Sequence, residues 1–411
     1  MMNLKKALFC IGVSALLAAC GGGDGSSTTP SQSVTQAQPL PSGSTYIATV
    51  SFGDTVEVKL DSPSTGYVTI SFISSQFGLK DSLTGTYTQD SNTHVYSVSN
   101  FSANGSDVPA QLGSGASSVG MTFYITVDGS NNGVLSGQIY NVPNVKAGSG
   151  TLAGQLAGSN NGVTTVAGLA GTYSFIKLSG DYTSAGVPTG DQDADTGQIK
   201  INADGTFRAC PSAPYSDTCT DDEDSSITDT GTITVDADQT DYPGAFDLTL
   251  NGVMYGRMFA STANGAVTLM LDQAGTNSDG TYRTGSWVLQ TASTLVSGTY
   301  NGFYACTEPT LSGDTPTGGV TQRALYINGA QTEDSLALTL AFNTSFNAAA
   351  SSVVPTPVAI SGLMSSTYPG SGSTQSAIMF LPVSASNLYY LDEPNADGYF
   401  VMGLCLPGVP A

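Results

Sequence analysis

The groups able to do chemistry in this 411-residue chain are one histidine, 32 acidic residues and six cysteines. His94 alone could serve as the base of a Ser-His-Asp or Cys-His arrangement. It sits in QDSNTHVYSV (89–98), just before an expected strand, where an exposed turn residue is the ordinary outcome. The chain has no Gly-x-Ser-x-Gly elbow, no His-Glu-x-x-His and no Gly-rich phosphate loop with its lysine. Paired carboxylates can hydrolyse glycosides without histidine. Such clefts usually offer aromatic platforms, and here a single tryptophan, Trp287, stands beside 19 tyrosines. Trp287 alternates within TYRTGSWVLQ (281–290) and reads as a core or barrel-mouth residue.

A sharper pattern is Asp191-Gln-Asp193-Ala-Asp195-Thr-Gly197. Alternate carboxylates can converge on one hard cation, and the run resembles the start of Asp-x-Asp-x-Asp-Gly calcium loops. It departs from them in three ways. Glycine comes at the seventh position, Thr196 fills the sixth, and Asn202 stands where a bidentate glutamate would close the shell. A calcium ion on Asp191, Asp193 and Asp195 is therefore a weak expectation, set against a solvated acidic hairpin loop. A second run, Asp221-Asp222-Glu223-Asp224, reads as an exposed, self-repelling loop. A shared cation gains ground if the two runs fold side by side.

The first 20 residues, MMNLKKALFCIGVSALLAAC, carry a positive start at Lys5 and Lys6 and an apolar run from Ala7 to Ala18. That run is too short to span a membrane and has the marks of a secretory signal. Leu17-Ala18-Ala19-Cys20 resembles the lipobox of bacterial lipoproteins. The resemblance implies cleavage after residue 19, a triacylated Cys20 and anchoring through lipid alone. Gly21 in place of aspartate favours, by the same resemblance, the outer membrane. Residues 20–44 are rich in Gly, Ser, Thr, Pro and Gln and read as a flexible tether.

Loss of the leader takes Cys10, and lipid consumes Cys20. Cys210, Cys219, Cys306 and Cys405 remain, an even number in an exported chain, which reads as two disulfides. Three pairings are open. Cys210–Cys219 with Cys306–Cys405 is favoured, worth roughly 2.7 and 4.7 kcal/mol in loop entropy. Zinc is the weaker reading, without a Cys-x-x-Cys or a nearby histidine. The mature charge is 9 − 32 = −23 once Lys5 and Lys6 are gone. Such a surface repels nucleic acid and anionic headgroups and tolerates basic partners.

The elements that must position these groups read as strands throughout. GYVTISFIS (66–74) alternates Val68, Ile70 and Phe72 against Thr69 and Ser71. Segments such as TYSFIKL, GQIKIN, TGTITV and AIMFLPV repeat the pattern. Asn-Gly and Asp-Gly dipeptides, Asn251-Gly252 among them, recur between segments and supply tight hairpins. Only FNTSFNAAASS (342–352) looks capable of a helical turn. The expectation is an all-β protein of two or three antiparallel sandwich or barrel units joined by Gly-rich linkers. The units are placed at 45–150, 168–292 and 293–411, with a linker around 146–168 and a seam near 289–294. Gly-Thr-Tyr at 85–87, 171–173 and 298–300 hints that the units repeat.

The function these features point to is a lipid-anchored envelope or surface protein with a non-enzymatic binding, adhesion or structural role. Its partner would be a protein, glycan or small molecule. Two alternatives stand beside it: a lipocalin-like carrier of an apolar ligand, and a carboxylate-dependent glycan hydrolase. No cofactor other than calcium is implied.

Overall fold

Asn251 and Gly252 both take positive φ, +49° and +81°, and the strands they join pair Leu250 directly with Val253. That is a two-residue hairpin of the primed kind, whose twist matches the flanking strands. The all-β expectation holds: 24 strands make roughly two-thirds of the described residues, beside one short α-helix, α1 (Ala110–Gly115), and two short 3-10 turns. The structure is a computed structural model. It describes residues 44–409 except 62–65, 129–131, 161, 223, 264, 313–314, 333–337, 347–356, 370–374 and 396–398. Cys20, the leader and the tether to residue 43 lie outside the described residues.

The strands form three eight-stranded antiparallel meanders. Strands β1 (Thr45–Val50) to β8 (Thr151–Ser159) close a first barrel, and β9 (Gly171–Tyr182) to β16 (Tyr282–Thr291) close a second. The third unit, β17 (Gly302–Ser312) to β24 (Tyr399–Pro407), also pairs its first strand with its last, but it is open between β19 (Gln331–Thr332) and β20 (Ala341–Phe346). One isolated bridge, Gln331 to Thr339, spans that gap, flanked by Thr332 N–Leu338 O and Leu340 N–Ala330 O at 2.9 Å each.

Each unit fills its own interior. Tyr46 and Phe123 are among the buried side chains of the first, Tyr173, Phe175 and Trp287 of the second, Tyr304, Phe380 and Tyr390 of the third. A fourth apolar cluster belongs to all three. Tyr124 and Ala157 from the first barrel meet Ile176, Met270 and Val288 from the second and Met379, Leu381 and Leu404 from the third. Strands at this centre are apolar on both faces, which explains unbroken runs such as Trp287-Val288-Leu289 and Met379-Phe380-Leu381. Each fully buried Leu, Ile or Phe contributes roughly 2 kcal/mol, against about 1 kcal/mol for a hydrogen bond. Burial therefore dominates the union, and residues 34–411 form one compact unit.

Three sequence expectations need revision. The Gly-rich passage 146–168 contains β8, so the first unit runs to Ser159 rather than stopping at 150. Without β8, which pairs with β1 from Ile47–Ser159 to Val50–Leu156, the barrel would not close. The expected helical turn at 342–352 begins as strand β20, and the rest of it falls outside the described residues. All three units are eight-stranded meanders, but Gly-Thr-Tyr opens the first strand in only one of them. Gly171-Thr172-Tyr173 opens β9, and its counterpart is Gly302-Phe303-Tyr304 at the head of β17. Tyr173 Oη donates to Leu169 O and Tyr304 Oη to Tyr300 O, each four residues back at 2.8 Å. Gly85-Thr86-Tyr87 lies instead within β4 (Ser82–Gln89).

Candidate functional site

Strand β10 (Pro188–Ile201) carries the alternating acids, which therefore sit on a strand rather than in a loop. Period two turns Asp193 and Asp195 to the interior of the second barrel, in phase with Ile199 and Ile201. The partner strand β9 places Lys177 in phase with Tyr173 and Phe175, and the register pairs Lys177 with Asp195. Lys177 Nζ lies 2.6 Å from Asp193 Oδ1, 4.0 Å from Asp195 Oδ2 and 5.1 Å from the centre of the Trp287 ring. Burial works against the ammonium, but Tyr255, Asp193 and Asp195 around it hold its pKa above that of an ordinary lysine.

Asp193 is shared. Its second oxygen lies 3.2 Å from Arg283 Nη1, and Arg283 grips Asp181 two-handed at 2.7 and 2.9 Å. The charges thus run in a line, Lys177–Asp193–Arg283–Asp181, with Asp195 beside the first of them. Burial, with Asp222 and Asp193 nearby, pushes the Asp195 carboxyl well above the usual range, and Lys177 offsets this in part. Ser212 Oγ joins the two acidic runs, donating within 2.7 Å of Asp222 Oδ2 and lying 3.4 Å from Asp195 Oδ1.

The calcium expectation on Asp191, Asp193 and Asp195 does not survive this geometry as a site. Asp193 is saturated by two cationic side chains, and Asp191 accepts from the Thr189 hydroxyl. Among the described residues no group of three or more His, Cys, Asp or Glu side chains could hold a metal ion. His94 lies in the turn before β5 (Tyr96–Asn104) at φ +60°, its backbone N–H bonded to Asp90 O. Trp287 is a core residue whose Nε1 donates to Gln273 Oε1 at 3.1 Å. The two disulfides are Cys210–Cys219 and Cys306–Cys405, the latter between directly paired strand positions.

The line of charges ends at a cleft. Asp181 and Tyr182, at the end of β9, form one wall of a cavity of about 310 Å³ where the three units meet. Phe52 and Leu152 of the first barrel and Tyr399 and Met402 of the third unit form the others, and Asp191 and Gln192 stand at its side. A hydrogen bond pins each pair of units around it. Thr284 Oγ1 donates to Phe52 O at 3.1 Å, Thr151 Oγ1 to Thr317 O at 3.1 Å, and Gln192 clamps the Phe400 backbone from both sides at 2.9 and 2.8 Å. The walls are thereby preset, with an apolar floor and acid and amide groups at one side. None of Asp181, Tyr182, Gln192 or Tyr399 stood out in the sequence. The one legible signal is Lys177, a lysine in the inward phase of β9 directly after Tyr173 and Phe175.

Fold and site together define an all-β body of two closed barrels and a third, nearly closed sheet around a common cleft. No protein-family model matches the chain, and no curated protein does. Among solved structures it is similar to a crystal structure of a protein with unknown function from the DUF3598 family of Nostoc punctiforme. The identity is 9%, over 89% of this chain and 93% of that one, with a TM-score of 0.16, too low to relate the two folds.

Proposed function

We propose that the chain is a lipid-anchored bacterial envelope protein, tethered through Cys20 at the outer membrane, that works by binding rather than catalysis. The observation that carries the binding half is the preset cleft at the three-way junction. Its ligand would be small and largely apolar, packed against Phe52, Leu178 and Met402, with a polar or basic end toward Asp191. The anchoring half rests on Leu17-Ala18-Ala19-Cys20 and suits a body with two disulfides.

Two closed barrels also suit the carrier reading. Their interiors are occupied by Tyr46, Phe123, Tyr173 and Phe175, so a carried ligand would sit between units rather than in a lumen. Native mass spectrometry of protein purified from its own membranes tests both halves. The expected mass includes three acyl chains on Cys20 and a retained small molecule. That molecule should be lost in Val187→Trp, which places an indole at the cleft rim from a residue 47% exposed. An unmodified amino terminus would end the anchoring claim, and an adduct unaffected by Val187→Trp would end the claim for the cleft.

A further inference from the structure

The second barrel carries, apart from the cleft, a pair of cations that make no ion pair among the described residues. Lys200 on β10 and Arg208 on β11 (Thr206–Pro211) are directly opposed in the strand register. Ile199, Ile201, Phe207 and Ala209 between and beside them face the interior, so the two cations share the outer face. Like charges directly opposed across a sheet repel. The chain holds 32 acids against 11 bases, and its other three arginines, Arg257, Arg283 and Arg323, are all ion-paired. Among the described residues neither Lys200 nor Arg208 makes an ion pair. Two cations directly opposed on one sheet face are not what folding stability alone would select.

Their surroundings are built. The loop closed by Cys210–Cys219 folds back over this face and is fastened by Arg208 Nη1 to Cys219 O at 2.7 Å and by Tyr215 N to Gln198 Oε1 at 2.9 Å. It sets the Tyr215 ring 5.0 Å from Lys200 Nζ. Asp217, the acid on this groove, is engaged by the Tyr215 hydroxyl and makes no ion pair. The remaining wall offers Asn202, Thr230 and Thr232, hydroxyl and amide groups along an open groove of about 590 Å³.

We propose that this groove binds a small, singly charged, hydroxyl-rich anion of the sugar-acid class. Its carboxylate sits between Lys200 and Arg208, and its hydroxyls meet the threonine and asparagine wall. A bound carboxylate removes the repulsion between the opposed cations, so binding and local stability rise together. A polyanion is disfavoured, because the net charge of −21 repels it everywhere outside the groove.

The test is calorimetric titration of the full protein with D-glucuronate, D-glucose and acetate at low salt. Saturable glucuronate binding is expected, with glucose and acetate each at least about tenfold weaker, the loss that follows from missing a charge-assisted or several neutral hydrogen bonds. Arg208→Gln and Lys200→Gln should each weaken glucuronate about tenfold with circular dichroism unchanged. Lys200→Gln should also raise the melting temperature of the free protein. Absence of saturable glucuronate binding, equal binding of glucose or acetate, or unaltered affinity in both variants overturns the proposal. A lower melting temperature in Lys200→Gln also overturns it, since the opposed cations would then not be held at a cost.

Discussion

Thr55 Oγ1 donates a 2.5 Å hydrogen bond to Asp272 Oδ2, joining the first barrel to the second across 217 residues of sequence. Both partners are buried, and among the described residues the other Asp272 oxygen has no hydrogen-bond partner. Asp54, one residue before Thr55, is buried too and faces the same acid.

Burial raises the Asp272 carboxyl to about 7, against the ordinary 3.8, although the Thr55 hydrogen bond pulls it down. The folded state therefore holds this proton more tightly than the unfolded chain. Stability from the neutral acid is full below about pH 4 and is lost as pH rises toward 7, at most about 4 kcal/mol over roughly three units. Asp272→Asn keeps an acceptor for Thr55 and removes the charge. It should raise the melting temperature at pH 8 and leave it nearly unchanged at pH 4, measured by calorimetry at both values.

Gly53 takes φ +96°, and a Cβ there would fall 1.4 Å from Thr284 Oγ1, the atom that pins the first barrel to the second. Gly53→Ala combines an unfavourable left-handed backbone with overlap at the junction. It should cost about 2 to 4 kcal/mol in urea unfolding. Gly148→Ala, also at positive φ but with nothing within 4 Å, should cost only about 1 to 2 kcal/mol. Equal losses would show that the junction contact is immaterial.

Lys177 is the cation deepest in the second barrel. Lys177→Met leaves Asp195 buried beside Asp193 and Asp222, and should cost about 3 to 5 kcal/mol at pH 8. Because the Asp195 pKa is raised, the loss should shrink as pH falls and the carboxyl takes up its proton. Adding Asp195→Asn to Lys177→Met should recover part of the stability at pH 8. A double-mutant cycle at pH 5 and pH 8 reads both effects.

Cys306–Cys405 closes a separation of 99 residues and Cys210–Cys219 one of 9. Loop entropy predicts about 4.7 kcal/mol lost in Cys306→Ala/Cys405→Ala against roughly 2.7 in Cys210→Ala/Cys219→Ala. Urea unfolding of the two double variants gives the ranking, and a reversed order would refute the assignment of loop closure as their main contribution.

The strand pattern and the hairpin dipeptides were legible because period two and positive φ are local properties. Strand β8 escaped notice for a physical reason. TLAGQLAGS has no β-branched or aromatic core residue, because its neighbours leave no room: a Cβ on Gly158 would meet Ala48 at 2.5 Å, and one on Gly154 would meet Phe52 and Val50 at 2.9 Å. Tight packing thus wrote a composition that reads as linker. The acids at 191–195 were misread for a related reason, since alternate spacing suits a chelating loop and a strand equally. Their cationic partners lie 16 and 90 residues away from Asp193, at Lys177 and Arg283, and only the sheet register brings them there. The cleft was invisible because each unit supplies only a fragment of its wall.

The apolar centre held in common by Ile176, Val288, Met379 and Leu404 has a consequence for anyone dissecting this molecule. A fragment cut at 160 or 295 would carry a bare greasy flank where its siblings had rested. Modules that look separable on paper behave as organs of a single body, and the smallest piece worth expressing is the whole of it.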